Sequence, residues 1–88
     1  MMPFKIKWHK KAIKELRGLP KQTARQLVVK ARKLSNKPIH NSFPLEGCEL
    51  RKIRSGDYRA IIEVVFKEKV VKVLLVGHRK NIYKKLFR

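Results

Sequence analysis

The stretch Leu50–Tyr83, LRKIRSGDYRAIIEVVFKEKVVKVLLVGHRKNIY, decides the fold. It contains three β-type runs, roughly Glu49–Arg54, Tyr58–Phe66 and Lys69–Gly77. Ser55-Gly56-Asp57 and Lys67-Glu68 separate them and are short enough to be hairpin turns. Val70–Val76 is apolar on both parities apart from Lys72, which predicts a central strand covered on both faces. Side chains two residues apart share a strand face, so Lys52 and Arg54 lie on one side and Arg51 and Ile53 on the other. The charge of Lys52 and Arg54 argues that theirs is the open face. The run Lys80–Arg88, basic and apolar-ended, predicts a short closing helix.

Outward from this stretch, Phe4, Ile6 and Trp8 alternate with Lys5, Lys7 and His9, the period of a half-buried strand. From Lys10 the spacing turns helical: Ala12, Ile13, Leu16 and Leu19 repeat until Gly18-Leu19-Pro20 ends the segment. Pro20 suits the first turn of a second helix, in which Ala24, Leu27, Val28, Ala31 and Leu34 form one stripe. Lys21, Arg25, Arg32 and Lys33 on its other face read as solvated charge, and Trp8 reads as core. Ser35–Pro44, with two prolines and two asparagines, reads as loop. The expected order is β-α-α-β-β-β with a C-terminal helix. This is an α+β class fold, a helical hairpin on one face of a small antiparallel-rich sheet, in a single domain over residues 1–88.

Lys and Arg number 24 against 6 Asp and Glu, a formal charge of +18 on 88 residues. Like charges repel more in a compact chain, so a polyanionic partner would stabilise the folded state. Nucleic acid is the first candidate and an acidic protein the second. At 43% hydrophobic residues the chain has enough apolar surface for a core and is not a disordered basic tail. Cys48 is the single cysteine, which excludes an intramolecular disulfide and suits a reducing compartment. His9, His40 and His78 are scattered and show no metal-ligand spacing with Cys48, so neither a metal nor a cofactor is expected. The N-terminal segment lacks a signal-peptide core, and the apolar runs are too short to span a bilayer, so the expectation is a cytoplasmic protein without a membrane role.

The residues R-K-I-R-S-G-D-Y-R (Arg51–Arg59) and V-G-H-R-K-N-I-Y (Val76–Tyr83), with Leu45 and Gly47 ahead of them, resemble the RelE toxins of bacteria and archaea. The first helix, ending Glu15-Leu16-Arg17-Gly18-Leu19-Pro20, is similar too, and the likeness covers nearly the whole chain. The resemblance implies a small αβ toxin of the RelE/ParE superfamily that cuts messenger RNA in the ribosomal A site. It further implies neutralisation by an acidic, RelB-like antitoxin in a heterodimer or heterotetramer. Carried onto this chain, the family's strand arginine falls on Arg59, the arginine after the last strand on Arg79, and the C-terminal tyrosine on Tyr83. The basic pair of the first hairpin strand falls on Lys52 and Arg54. The family's lysine pair would place a lysine at position 50, where this chain has Leu50; either Arg51 substitutes or one cation is missing.

Cleavage of this kind needs a 2′-hydroxyl deprotonated, a phosphorane stabilised and a 5′-oxygen released. Clustered cations can do this without a metal, because two like charges about 4 Å apart interact by about 4 kcal/mol at an effective dielectric near 20. Under this reading Lys52 serves as base or stabiliser and Arg59 grips the scissile phosphate. Arg79 offsets phosphorane or leaving-group charge, and Tyr83 stacks on a base or shuttles a proton. Arg51, Arg54 and Lys80 support the RNA backbone. Plainer readings stand beside these. Arg59 can pair with Glu63, Tyr83 can be core, and Lys52 and Arg54 can guard a sheet edge. His78 can be a structural hydrogen-bonder and Asp57 a turn residue. Two other functions also remain: a ParE-like inhibitor of DNA gyrase, and a non-catalytic basic nucleic-acid binder whose attraction is salt-sensitive.

Overall fold

The first strand, β1 (Lys5–Trp8), buries alternate residues as its pattern requires: Lys5 and Lys7 are exposed, Ile6 and Trp8 partly buried. The computed structural model describes residues 3–86. Helix α1 (Lys10–Arg17) starts where the His9 Nδ1 accepts the Lys11 amide at 3.3 Å, and Gly18 follows its last turn. Helix α2 (Lys21–Lys33) buries Leu27 and Ala31 and leaves Lys21, Arg25, Arg32 and Lys33 exposed. Three further strands follow: β3 (Arg51–Ser55), β4 (Tyr58–Val65) and β5 (Val70–His78), preceded by a two-residue β2 (Phe43–Pro44). Helix α3 (Arg79–Leu86) closes the chain; positions 87 and 88 of the expected helix lie outside the described residues.

The five strands form one mixed sheet in the order β1-β5-β4-β3-β2. β1 lies parallel to β5, with Lys5 opposite Val70 and Trp8 opposite Val73, and the other pairs are antiparallel. β5 is therefore interior, as its run of apolar residues on both parities predicts. On one face, Ala12, Leu27, Ala31 and Leu34 of the helical hairpin and its exit pack on Ile53, Ala60, Ile62, Val71, Val73 and Val76. On the other, Ile82 of α3 packs with Ile61 and Leu45, flanked by Leu50, Leu75 and Tyr83. Ile61 and Ile62 enter opposite layers by the ordinary alternation of a strand, and a bulge in β5, where Leu74 is the extra residue, turns Leu75 to the face opposite Val73. Trp8 packs against the first of these cores.

The sequence reading needs three corrections. The segment read as a continuous loop over Ser35–Pro44 ends in β2, which pairs Phe43 with Lys52 and Pro44 with Arg51. Two residues carry no periodicity, and Pro44 is tolerated because β2 is an edge. β3 begins at Arg51 and reaches Ser55, later than the expected Glu49–Arg54, because the Leu45 amide donates to the Leu50 carbonyl at 3.1 Å and keeps Leu50 in the connection. The β4–β5 connection is longer than Lys67-Glu68: Lys69 sits at φ +57° and its amide closes on the Phe66 carbonyl at 3.2 Å. The β3–β4 turn has Gly56 at φ +59° in first central position, the arrangement of a type II′ hairpin.

Candidate nucleic-acid site on the α3 face of the sheet

Lys52 and Arg54 share the sheet face turned away from the helical hairpin, as expected, but α3 covers part of that face, which is therefore not fully open. Lys52 stands opposite Ile61, and Arg54 stands directly opposite Arg59, which in turn faces Gly77. Directly opposed side chains in an antiparallel pair have Cβ atoms about 4.5–5.5 Å apart, so Arg54 and Arg59 form a cationic pair on the sheet. The Arg59 guanidinium folds back to donate to the Gly56 and Tyr58 carbonyls at 2.7 and 3.0 Å. It forms no ion pair with Glu63; the ion pairs among the described residues are Arg79–Asp57 and Lys85–Glu15.

α3 supplies the other wall. Arg79 and Tyr83 are four residues apart and so share one stripe of the helix. Arg79 meets the hairpin tip: its amide donates to the Asp57 carbonyl at 2.8 Å, and its Nε lies 3.6 Å from the Asp57 carboxylate. One turn along, Tyr83 meets Lys52, whose Nζ donates to the phenol oxygen at 3.1 Å. Nζ is 5.6 Å from the ring centroid, so the ammonium sits off the tip of the ring and leaves the ring face open. Lys52 and Tyr83 border a cleft of about 380 Å³ walled by Pro44, Leu45 and Glu46.

Lys52, Arg54, Arg59, Arg79 and Tyr83 are thus gathered along one strip between α3 and the β3–β4 hairpin. Two further residues are not part of it. Arg51 faces the other way and is occupied: Nε donates to the Ser42 hydroxyl at 2.6 Å, and Nη2 to the Ser42 and Ile39 carbonyls at 2.9 and 3.1 Å. It staples the connection before β2 to the sheet and is not positioned as a substitute for a lysine at 50. Lys80 is exposed on α3, one residue off the Arg79–Tyr83 stripe. The Arg79–Asp57 pair, both partners more than half exposed, is a weak tie that a phosphate can displace.

Several residues of the strip carry no sequence signal of their own. Asp57 meets Arg79 through both its carbonyl and its carboxylate, which only the packing of α3 on the hairpin reveals. His78 accepts the Lys80 amide through Nδ1 at 3.1 Å and stands edge-on to Tyr58 at 5.3 Å, a structural role. Phe43 carries the Arg54 guanidinium over its ring at 4.7 Å, a contact possible only because β2 exists. Among the described residues, no three His, Cys, Asp or Glu side chains gather in a way that would hold a metal ion.

A five-stranded mixed sheet with a helical hairpin on one face and a short helix on the other is the α+β fold that this chain shares with solved RelE-type toxins. A family model described as the ParE toxin of the type II toxin–antitoxin system, parDE, matches residues 6–83, and the chain belongs to that family within the RelE/ParE superfamily. A putative RelE-like toxin protein of Escherichia coli is 28% identical over 83 residues, covering 91% of this chain and 87% of that protein. Among solved structures, a chain of the archaeal RelE–RelB complex from Pyrococcus horikoshii superposes with a TM-score of 0.76 at 34% identity, covering 89% of this chain and 97% of that one. A chain of the intact E. coli RelBE toxin–antitoxin complex gives 0.75 at 30% identity, covering 85% and 95%.

Proposed function

We propose that this toxin is a ribosome-dependent endoribonuclease that cuts messenger RNA in the A site by metal-free 2′-hydroxyl attack. The observation that carries the reading is the Lys52–Tyr83 contact at one end of a strip that also presents Arg54, Arg59 and Arg79. In this scheme the 2′-oxygen bonds to phosphorus and the bond from phosphorus to the 5′-oxygen breaks, leaving a cyclic phosphate and a 5′-hydroxyl. Lys52 stands at the attacking 2′-oxygen as base or charge stabiliser, its Nζ held by the Tyr83 phenol. Because Nζ donates to the phenol oxygen, the phenol proton is left free for the departing 5′-oxygen. Arg59 leaves its two turn carbonyls to grip the phosphate, and Arg79 leaves Asp57 to offset the phosphorane charge. The ribosome supplies the orientation that so small a cleft does not.

The partner in this reading is an acidic, RelB-like antitoxin acting in the cytoplasm as a heterodimer or heterotetramer, in line with the RelE–RelB and RelBE complexes of the relatives. Purified protein added to translating ribosomes, with mRNA ends mapped, tests the proposal. Cuts within A-site codons are expected, with uncut naked RNA. Arg59→Ala and Arg79→Ala should each lower cutting by about 10²–10³-fold. The ParE description of the matching family favours one other reading, inhibition of DNA gyrase. Intact mRNA together with gyrase-dependent double-strand breaks would replace the first proposal with that one.

A further inference from the structure

β2 covers β3 only at Arg51 and Lys52, so the edge of β3 from Ile53 to Ser55 is left without a neighbouring strand. Lys30 of α2 closes that edge by donating to the Arg54 carbonyl. Two clefts, of about 360 and 510 Å³, lie along it and share Lys30 and Lys33 as walls. Together they make one gutter from the outer side of α2, past the hairpin tip, to Phe43. Its cations are Arg25, Lys30, Lys33 and Arg54, with His40 beside them, and among the described residues no acidic side chain lines it. From Arg25 to Lys33 the α2 wall alone runs about 12 Å at 1.5 Å per residue. At the end of the gutter Phe43 is 47% exposed, with the Arg54 guanidinium over one ring face. Arg54 belongs both to this gutter and to the strip, where it opposes Arg59.

We propose that this gutter is a second, single-stranded RNA-binding track. It holds the backbone of nucleotides flanking the one cut, with Phe43 as a stacking platform at its junction with the strip. The inference rests on the RNA-directed reading of the strip and extends it to how the strand enters. Arg25, Lys30 and Lys33 take successive phosphates, Phe43 takes a base, and Arg54 hands the backbone across to Arg59. A row of cations beside an exposed aromatic ring is the combination by which single strands are held without sequence readout.

The test is binding, not cutting. A fluorescein-labelled 2′-O-methyl oligouridine of about 12 nucleotides, within the site sizes usual for such tracks, lacks the attacking hydroxyl and reports affinity by anisotropy whether or not the strip is catalytic. The triple variant Arg25→Ala/Lys30→Ala/Lys33→Ala is compared with Lys10→Ala/Lys11→Ala/Arg17→Ala, which removes the same charge from α1. Each lost phosphate contact lowers the slope of log affinity against log salt by about 0.7, so the gutter variant should lose about 2 from the slope and the α1 variant far less. Phe43→Leu, which keeps an apolar side chain without the ring, should weaken binding about tenfold or more. Equal losses in the two triple variants overturn the proposal, since diffuse charge would then account for binding. So does an unchanged affinity in Phe43→Leu. If the gutter variant keeps the oligonucleotide but loses an acidic peptide, the track belongs to a protein partner and the RNA assignment fails. A-site cutting that persists with a dead gutter would sink the track and leave the strip standing. Intact gutter binding without any cutting would do the reverse.

Discussion

Arg51 and Arg54 show how little residue type says about role within one strand. They differ by three positions and by a face, and the structure gives them opposite jobs. Arg51 makes three hydrogen bonds to Ser42 and Ile39, and Ser42 is buried, so Arg51→Ala strands polar groups away from water. It should cost about 1–3 kcal/mol in a urea titration while leaving cutting per folded molecule within a few-fold of the parent. Arg54 is exposed with its guanidinium over Phe43, and Arg54→Ala should leave the urea midpoint nearly unchanged while weakening RNA binding. Reversed outcomes would exchange their roles. Tyr83 can be separated from its packing in the same way. Tyr83→Phe keeps the ring against Ile82 and Ile61 but loses the hydroxyl that Lys52 reaches, so cutting should fall about 10²-fold or more with little loss of stability. The resemblance named Lys52, Arg59, Arg79 and Tyr83 from sequence. Nothing in the chain's local pattern announced Asp57 as the partner of Arg79, because that contact joins a turn to a helix that follows two further strands.

At the level of elements, α3 is fastened at three points. Tyr83 meets Lys52, the Arg79 amide meets Asp57, and Lys85 donates to the Glu15 carboxylate at 2.7 Å. The Glu15 contact also solves a strand problem. β1 ends opposite Val73, so β5 has an open edge beyond it, and Glu15 accepts the Val76 amide at 3.1 Å. That amide lies on the same residue that packs in the core beneath α1. Glu15→Ala should therefore cost about 1–3 kcal/mol and speed hydrogen exchange at the Val76 amide. Glu15→Gln, which keeps an acceptor for the amide and drops only a partly exposed ion pair, should cost under about 1 kcal/mol. Equal losses in the two variants would place the stabilising contribution in the ion pair rather than in the capped edge. The strands and helices were legible because each runs long enough to express its period. β2 was not, since two residues have no period, and its pairing is imposed by the Arg51 staple and by β3.

For the whole molecule, a charge of +18 on 88 residues is the dominant condition. Self-repulsion among so many cations opposes compaction, and salt screens it over about 10 Å at 0.1 M. The thermal midpoint should rise as sodium chloride goes from low to moderate concentration, while affinity for an oligonucleotide falls over the same range. A midpoint that drops with salt would mean that specific ion pairs outweigh repulsion, contrary to the sparse pairing seen on this surface. The sequence by itself determined the α+β class, the interior place of β5, the chain's strongly positive charge and the face on which Lys52 and Arg54 lie. All of these follow from periodicity and composition, which are local or summed properties of the chain. The tertiary structure alone decided that α3 lies over the hairpin so that Arg79 and Tyr83 reach Asp57 and Lys52. It also decided that Arg51 is a staple, and that the uncovered edge of β3 opens a cationic gutter. Those outcomes depend on which distant segments share a surface, and that is settled by how the apolar faces of the helices and the sheet bury one another.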